Sequence, residues 1–373
     1  MPLFGTYVAT ATWNPGGSTA YDVLNALSID ITRGRQGESL SAEMGRCRVA
    51  VYDPTGIYNP NNASSPLGAN LKLWRGLRVE CTPSGGSLTP MFTGFVSRIW
   101  HDSRVGVKQT IIEAVDGFRL LDLNRPVIAS TGAVLSGAAV GLVLDEAGVA
   151  GGLQDLDDGD VLPDFSADGS ATGLSVVDDM LAVDRGWYFV TAGGNHAYRS
   201  RSSLYGRRTA VATFTTAIGD VAIPALDELN IVNKQTATKT PGGTPQTYSD
   251  ATSITDYAER QPDDIESAYL LNDNQANSLA TWVVLTRKSP DLATRTMFVP
   301  GMTLAQVQQQ VAREISDPVT LSGLGPATSA RVAGLSHRIT REVHTTGYTL
   351  SLRTSTGFTI GVSVIEGSDV IVY

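Results

Sequence analysis

The residue types able to move protons or hold a metal are few in this sequence and widely spread. Four histidines are present, His101, His196, His337 and His344, and none sits in an HxxxH or CxxC arrangement. His337 and His344 lie on segments that read as different strands, so their spacing alone builds no metal site. The one candidate for an ion is the acidic run Asp155, Asp157, Asp158 and Asp160 around Gly159. A calcium loop needs oxygen ligands at alternating positions and a closing glutamate at a fixed distance, and no glutamate follows here. The competing reading is a solvated acidic loop ahead of Pro163. There is no Gly-x-Ser-x-Gly elbow, no Gly-x-x-x-x-Gly-Lys phosphate cradle and no carboxylate pair in a glycosidase-like setting. The sequence therefore assigns no catalytic residue and no cofactor-binding residue.

Binding chemistry is the next question. Trp13, Trp74, Trp100, Trp187 and Trp282 invite a sugar-stacking reading, but each lies in its own apolar strand, turn or helix, which favours packing. Trp74, between an Asn/Pro-rich loop and the Leu77 strand, is the candidate for a subunit interface, together with the strand glycines Gly94 and Gly334. Arg199, Arg201, Arg207 and Arg208 fall close together, and Arg33 and Arg35 flank a glycine, so a local basic lining is one option and an unrelated solvated loop the other. Cys47 and Cys81 sit on alternating segments. They read as small buried hydrophobes, with a bridge between neighbouring strands as the alternative.

Elements to hold such groups follow from composition. The 373 residues carry 42% hydrophobic and only 17% charged side chains, with 38 Gly and 17 Pro cutting the chain into short segments. That favours β-structure with many turns, in one large or two to three ordinary domains. A net charge of -9 argues against sequence-independent nucleic-acid binding by the outer surface. No apolar run approaches the roughly 18 residues that would span a bilayer. The stretch from Met1 to Asn14 lacks the pattern of a secretion signal, so the expectation is a soluble product made in a cytoplasm, with no stable membrane insertion.

Period-two alternation of β-branched and aromatic residues predicts strands around Thr6–Thr10, Ser28–Thr32, Cys47–Tyr52, Leu77–Cys81, Met91–Val96 and Val107–Val115. The expected fold is mainly β with an α+β insert: two barrel-like β-domains plus a small mixed α/β domain. The boundaries are 1–125 for the first barrel-like domain, 126–225 for the mixed insert, 226–356 for a second barrel-like domain with one helix, and 357–373 for a C-terminal β tail. Helices are expected at Gly137–Gly148, after Ser170, from Asn272 or Asp273 to Leu285, and after Thr303. A hairpin is expected at Trp187–Arg199. The segment Phe92-Thr93-Gly94-Phe95-Val96-Ser97-Arg98-Ile99 echoes Val332-Ala333-Gly334-Leu335-Ser336-His337-Arg338-Ile339 at an offset of 240 residues, which points to two related barrels or to chance similarity of short strands.

The order of these segments resembles the minor tail proteins of long-tailed phages, particularly the hub proteins of the tail tip and baseplate. The resemblance is carried by Gly45-Arg46-Cys47-Arg48-Val49-Ala50-Val51-Tyr52-Asp53, Gly56-Ile57-Tyr58-Asn59-Pro60 and Gly76-Leu77-Arg78-Val79-Glu80. It continues through Phe92-Thr93-Gly94, Ala114-Val115-Asp116-Gly117, Arg185-Gly186-Trp187-Tyr188-Phe189-Val190 and Ala333-Gly334-Leu335-Ser336-His337-Arg338-Ile339. It covers about residues 20–355, and the order of the motifs rather than any single one carries it. The central segment departs from it, with Phe165 and Asp168 where relatives often have a tryptophan pair. The resemblance implies a non-enzymatic virion component at the tail tip: a homo-oligomer, a trimer favoured, between the tail tube and a distal adhesin. Implied partners are a distal tail protein, the end of the tape-measure protein and a tail fibre or spike, with transient DNA passage through the lumen during genome ejection. The alternatives are a receptor- or carbohydrate-binding tail protein active in host attachment, which needs exposed aromatics in one cluster, and a cell-wall hydrolase, which needs two carboxylates in a cleft.

Overall fold

A computed structural model describes residues 5–11, 21–22, 26–35, 43–102, 104, 108–206, 209–221, 231–289, 294–322 and 328–352. Trp13, Arg207, Arg208 and the expected 357–373 tail lie outside the described residues. The alternating segments form strands where expected, β1 (Gly5–Ala11), β3 (Ala26–Gly34), β4 (Arg46–Tyr52), β5 (Gly76–Pro83), β6 (Thr89–Asp102) and β7 (Gln109–Val115), and a short β2 (Tyr21–Asp22) is added that alternation did not indicate. In β4 the alternation is explicit, with Cys47, Val49 and Val51 buried and Arg46, Arg48 and Tyr52 exposed. One face of the sheet therefore packs and the other is wet. Beneath it, Val49, Val79, Phe92, Ile112 and Ala114 belong to one apolar cluster.

The chain then leaves the sheet through α1 (Phe118–Leu123), β8 (Val127–Ile128), β9 (Val134–Leu135), α2 (Ser136–Glu146), β10 (Gln154–Leu156), β11 (Val161–Leu162), β12 (Ala167–Asp168), α3 (Gly173–Asp184), β13 (Trp187–Val190), β14 (His196–Arg199) and α4 (Arg201–Gly206). Helix α3 starts where Thr172 accepts a hydrogen bond from the Ser175 N–H, and it ends at Arg185 in the left-handed region. Its buried Val176, Val177, Met180 and Leu181 join one apolar cluster with residues of α1 and α2, each side chain contributing roughly 1.5–3 kcal/mol on burial. The β13–β14 hairpin forms where expected, with Trp187 opposite Arg199 and Val190 opposite His196.

Strands β15 (Ala212–Phe214) and β16 (Asp220–Val221) return to the main sheet. A second excursion follows, with β17 (Lys234–Lys239), β18 (Gln246–Ser249), α5 (Ala251–Tyr257), β19 (Ile265–Ser267) and α6 (Asp273–Arg287). The sheet is completed by β20 (Thr294–Pro300), α7 (Leu304–Ala312), β21 (Pro318–Leu321), β22 (Thr328–Thr340) and β23 (His344–Leu352). The expected 226–356 domain is therefore divided. Strands β17, β18 and β19 form their own sheet with α6 over a separate apolar cluster, while β15 and β16, placed by sequence in the insert, belong to the large sheet. Three helices, not one, fall in that range.

Thirteen strands form one continuous sheet, ordered β16-β20-β23-β22-β3-β4-β7-β6-β5-β1-β2, with β21 beside β22 and β15 beside β21. The same order occurs twice within it: β3-β4-β7-β6-β5-β1 in the first half and β16-β20-β23-β22-β21-β15 in the second. The outermost pair differs in direction, since β1 runs antiparallel to β5 and β15 parallel to β21. The halves share a seam, β22 against β3, with Gly334 opposite Gly34 and Thr340 opposite Ser28.

Register relates the halves at an offset other than the sequence echo. A bulge between Val96 and Arg98 in β6 matches one between Val332 and Gly334 in β22. The Trp74 N–H donates to Val96 O and the Val96 N–H to Arg75 O, as the Ser316 N–H donates to Val332 O and the Val332 N–H to Asp317 O. Trp74 and Ser316 both have positive φ. Val96 thus corresponds to Val332, an offset of 236 residues along these strands, and the apparent match of Gly94 with Gly334 is four residues out of register.

Candidate assembly interface

Across the seam the wet face of the sheet carries an ordered row of charges. Arg338 lies opposite Asp30, Asp30 opposite Arg48, Arg48 opposite Glu113, and Glu113 opposite Arg98. Opposite charges on directly facing positions of one face hold neighbouring strands in register, each pair contributing a few tenths of a kcal/mol, up to about 1. The row follows from one charged residue at an outward position on each of five strands. Trp100, next to it on β6, lies under the Arg98 guanidinium at 4.5 Å and is 6.0 Å from that of Arg48. Around the row the face carries Ser28, Thr32, Arg46, Ser336 and Thr340.

Of the interface candidates Trp74, Gly94 and Gly334, Trp74 is the one at the surface. It is 46% exposed, adopts a left-handed backbone conformation, and its ring rests 5.5 Å from that of Phe95. Leu73 beside it is 53% exposed. Gly94 and Gly334 are instead buried within the chain. A Cβ on Gly94 would stand 2.2 Å from Val115 O, and one on Gly334 2.1 Å from Arg35 O, so both are glycine because another strand's backbone passes against them. Gly334 thereby serves a contact between the two halves of this chain.

Sequence reading missed the polar groups that fasten the halves and the insert together. Arg33, buried at the end of β3, donates to Glu314 Oε1 at 2.7 Å and to Val190 O at 3.4 Å, while Glu314 Oε2 accepts from the Ala192 N–H. Arg35 donates to Gly186 O and lies over the Trp187 ring at 5.0 Å. The Arg-Gly-Arg spacing around Gly34 was the one available signal. On the other side of the seam, Tyr7 of β1 is 2.7 Å from His344 Nδ1, whose Nε2 is 3.1 Å from His337 Nδ1. Burial pushes His344 down to about 3, and burial with the His344 charge nearby holds His337 well below the usual imidazole range. The pair is therefore neutral near pH 7, and one consistent proton assignment runs from the Tyr7 hydroxyl into His344 Nδ1 and from His344 Nε2–H into His337. That chain of bonds is structural, tying β1 to β23 and β22.

The acidic run and the arginine cluster partner each other. Arg199 pairs with Asp155 and lies 3.6 Å from Asp157, and Arg201 pairs with Asp160 at 2.8 Å. Both arginines are buried, so among the described residues neither lines an open basic surface. Burial raises the Asp160 carboxyl, partly offset by Arg201. Asp158 is exposed, and its carbonyl accepts the Gly137 N–H at the start of α2. Among the described residues no three His, Cys, Asp or Glu side chains are grouped to hold a metal. Cys47 and Cys81 are free and buried rather than bridged. The acidic turn after β4 is organised by Asp53, whose carboxylate accepts the N–H groups of Ile57 and Tyr58 and the Thr110 hydroxyl. Among the described residues no helix is long and apolar enough to cross a membrane.

No known family profile and no curated protein sequence matches the chain. Solved structures do. The 43 kDa tail protein of prophage MuSo2 from Shewanella oneidensis superposes with a TM-score of 0.62 at 15% identity, covering 92% of this chain and 97% of that one. The tail protein from Neisseria meningitidis MC58 gives 0.62 at 13% identity over 93% and 96%. Prophage tail protein gp18 from Listeria monocytogenes EGD-e gives 0.56 at 13% over 92% and 94%. Nearly whole-chain coverage in both directions means that sheet, insert and second excursion are matched together, and the chain has the fold of the phage tail proteins to which the order of its sequence motifs pointed.

Proposed function

We propose that this protein is a ring-forming structural subunit of a phage tail tip, a hub that joins the tail tube to the distal adhesin or spike. The observation that carries this is the twofold occurrence of one six-strand order in a single continuous sheet. A trimer of such chains offers six nearly equivalent units, a match for a hexameric tube, so each chain acts as two barrel-like wedges. The wet face, with its charge row and hydroxyl side chains, then lines the channel through which DNA passes. Alternating charges suit that place, because a purely basic lining would hold the polyanion by counterion release and slow its exit. The role is mechanical, with the distal tail protein, the tape-measure end and a fibre or spike as neighbours.

Two measurements test it. Light scattering of the purified protein should give a stable closed oligomer of three copies, and electron microscopy of tails labelled at Tyr373 should place the label at the distal end. A label on the capsid or along the tube shaft overturns the reading. The receptor-binding alternative needs clustered exposed aromatics, whereas Trp100, Trp187 and Trp282 lie against Arg98, Arg35 and Arg201 and only Trp74 among the described tryptophans is exposed.

A further inference from the structure

Beneath the ion pairs of the insert, two carboxylates meet at one point. Asp184, the last residue of α3, is 1% exposed. Its Oδ1 accepts the Asp160 N–H at 3.3 Å, and its Oδ2 accepts the Tyr198 hydroxyl at 2.5 Å and the Arg201 N–H at 3.4 Å. The Tyr198 hydroxyl is in turn 2.7 Å from Ser136 Oγ. Asp160 is held from its other side, by the Arg201 guanidinium at 2.8 Å and by the side chain of Gln275. Two glycines close on the cluster. A Cβ on Gly186 would stand 2.6 Å from Asp184 Oδ2, and one on Gly159 2.0 Å from Ser136 Oγ and 2.7 Å from the Tyr198 hydroxyl.

This cluster joins two parts of the chain. Asp160, Asp184, Tyr198, Ser136 and Arg201 belong to the insert, whereas Gln275 belongs to α6 of the second excursion. The Arg201 guanidinium also lies 5.9 Å from the ring of Trp282 on α6, and Val183, next to Asp184, is buried in the apolar cluster of that helix. Arg201 is therefore the shared member: its guanidinium meets Asp160 and Trp282, and its backbone meets Asp184. The titratable and charged groups around Asp184 are Asp160 from the 157–160 turn, Tyr198 from β14 and Arg201 from α4. Arg185 follows it in the chain, with Arg287 of α6 and Arg201 near that residue. Asp157 is engaged elsewhere, accepting the Ser200 N–H and lying 3.6 Å from Arg199. Two buried carboxylates so placed disfavour each other's charge and titrate as a pair. Burial, and then the Asp160 charge, push Asp184 up to about 6.

We propose that Asp160 and Asp184 hold one proton between them, and that its release turns Arg201 from Trp282 toward Asp184 and loosens α6 on the insert. With the proton in place, one charged carboxylate faces the Arg201 guanidinium, and Asp184 completes a hydrogen-bonded chain through Tyr198 to Ser136. The proton leaves to water past Asp160, whose side chain is 14% exposed. The folded chain holds this proton more tightly than the unfolded one, whose aspartates titrate at about 3.9. The joint is thus firmest in acid and weakens as pH rises through about 6. One copy contains the whole device, whatever ring it joins.

Tryptophan fluorescence reads it. The difference between the full chain and its Trp282→Phe variant isolates the Trp282 signal, which should change between about pH 4 and 9 with a midpoint of about 6. Asp184→Asn has no carboxyl to ionise there and should keep the acid-side signal throughout. Tyr198→Phe removes a donor to the ionised carboxylate, so the midpoint should rise by about one unit, a shift that loss of packing alone would not produce. A Trp282 signal flat across that range, or a transition that survives in Asp184→Asn, overturns the proposal. If Asp184→Asn does not fold, Tyr198→Phe decides, and a midpoint left in place overturns it.

Discussion

His101 and His337 occupy corresponding places in the two halves, and in each the Nδ1 atom is 2.8 Å from a threonine hydroxyl, Thr110 or Thr346. Their surroundings differ. His337 lies fully buried under the seam with His344 and Tyr7 behind it, whereas the His101 side chain is 14% exposed at the open edge of β6, with Asp53 at 3.7 Å. The same local pair has thus been placed in two settings by one event, the laying of β3 along β22. At these two positions, burial is decided by which strand edge is covered, and only then by the residues on it.

The covered and open edges differ most at Arg33. Arg33→Met removes the buried partner of the part-exposed Glu314 and should lower stability by about 2–3 kcal/mol, as loss of a charge-assisted hydrogen bond does. Arg98→Met on the open edge should change the isolated chain by less than about 0.5 kcal/mol. Urea denaturation of both variants checks this, and equal effects would remove the distinction between covered and open edges.

Acid should act on the seam next. His344 and His337 are held below their unfolded value of 6.5, so below that pH the unfolded chain binds more protons than the folded one. The stability they contribute is fully present above pH 6.5 and is lost as pH falls toward 3, by on the order of 4 kcal/mol for His344. A stability profile from pH 7 to 3 should show this acid limb, and His344→Gln should flatten it. An unchanged slope in that variant would mean that the pair is solvated.

The two close-approach glycines should respond alike although their halves differ, since each meets a backbone carbonyl at nearly the same distance. Gly94→Ala and Gly334→Ala should each cost about 1–3 kcal/mol in thermal melts. A tolerated Gly334→Ala would show the seam to be loose. The smallest effect belongs to the connection after β20, where Thr303 and Gln306 form a capping box on α7 and the first half has the 53–75 loop instead. Thr303→Ala should cost about 1 kcal/mol, and a change in Asn62 of that loop should leave α7 untouched.

Much of this was legible in the residues. Alternation located β3 through β7, the three-to-four spacing located α2, α3 and α6, and Asn272 and Thr303 mark helix starts as their side-chain chemistry requires, while α3, expected after Ser170, is capped by Thr172. The repeat was suspected from the right strands and aligned wrongly. Offsets of 240 and 236 differ by an even number, so both keep inward residues inward, and alternation cannot choose between them. Only the bulges and the shared His–Thr pair fix the register. The acidic run read as a solvated loop, or else a weak ion site, because its arginine partners stand 41 and 44 residues away.

By itself the sequence determined which segments are strands, which face of each is apolar and where helices begin, because these depend on neighbours within a few residues. Tertiary structure alone decided that β3 lies along β22, that β17 to β19 leave the large sheet, that Arg33 meets Glu314 and that Tyr7 meets the two histidines. The reason is physical: an unpaired strand edge offers the same backbone N–H and C=O groups whatever its side chains, so the choice of neighbour rests on the packing of the whole sheet.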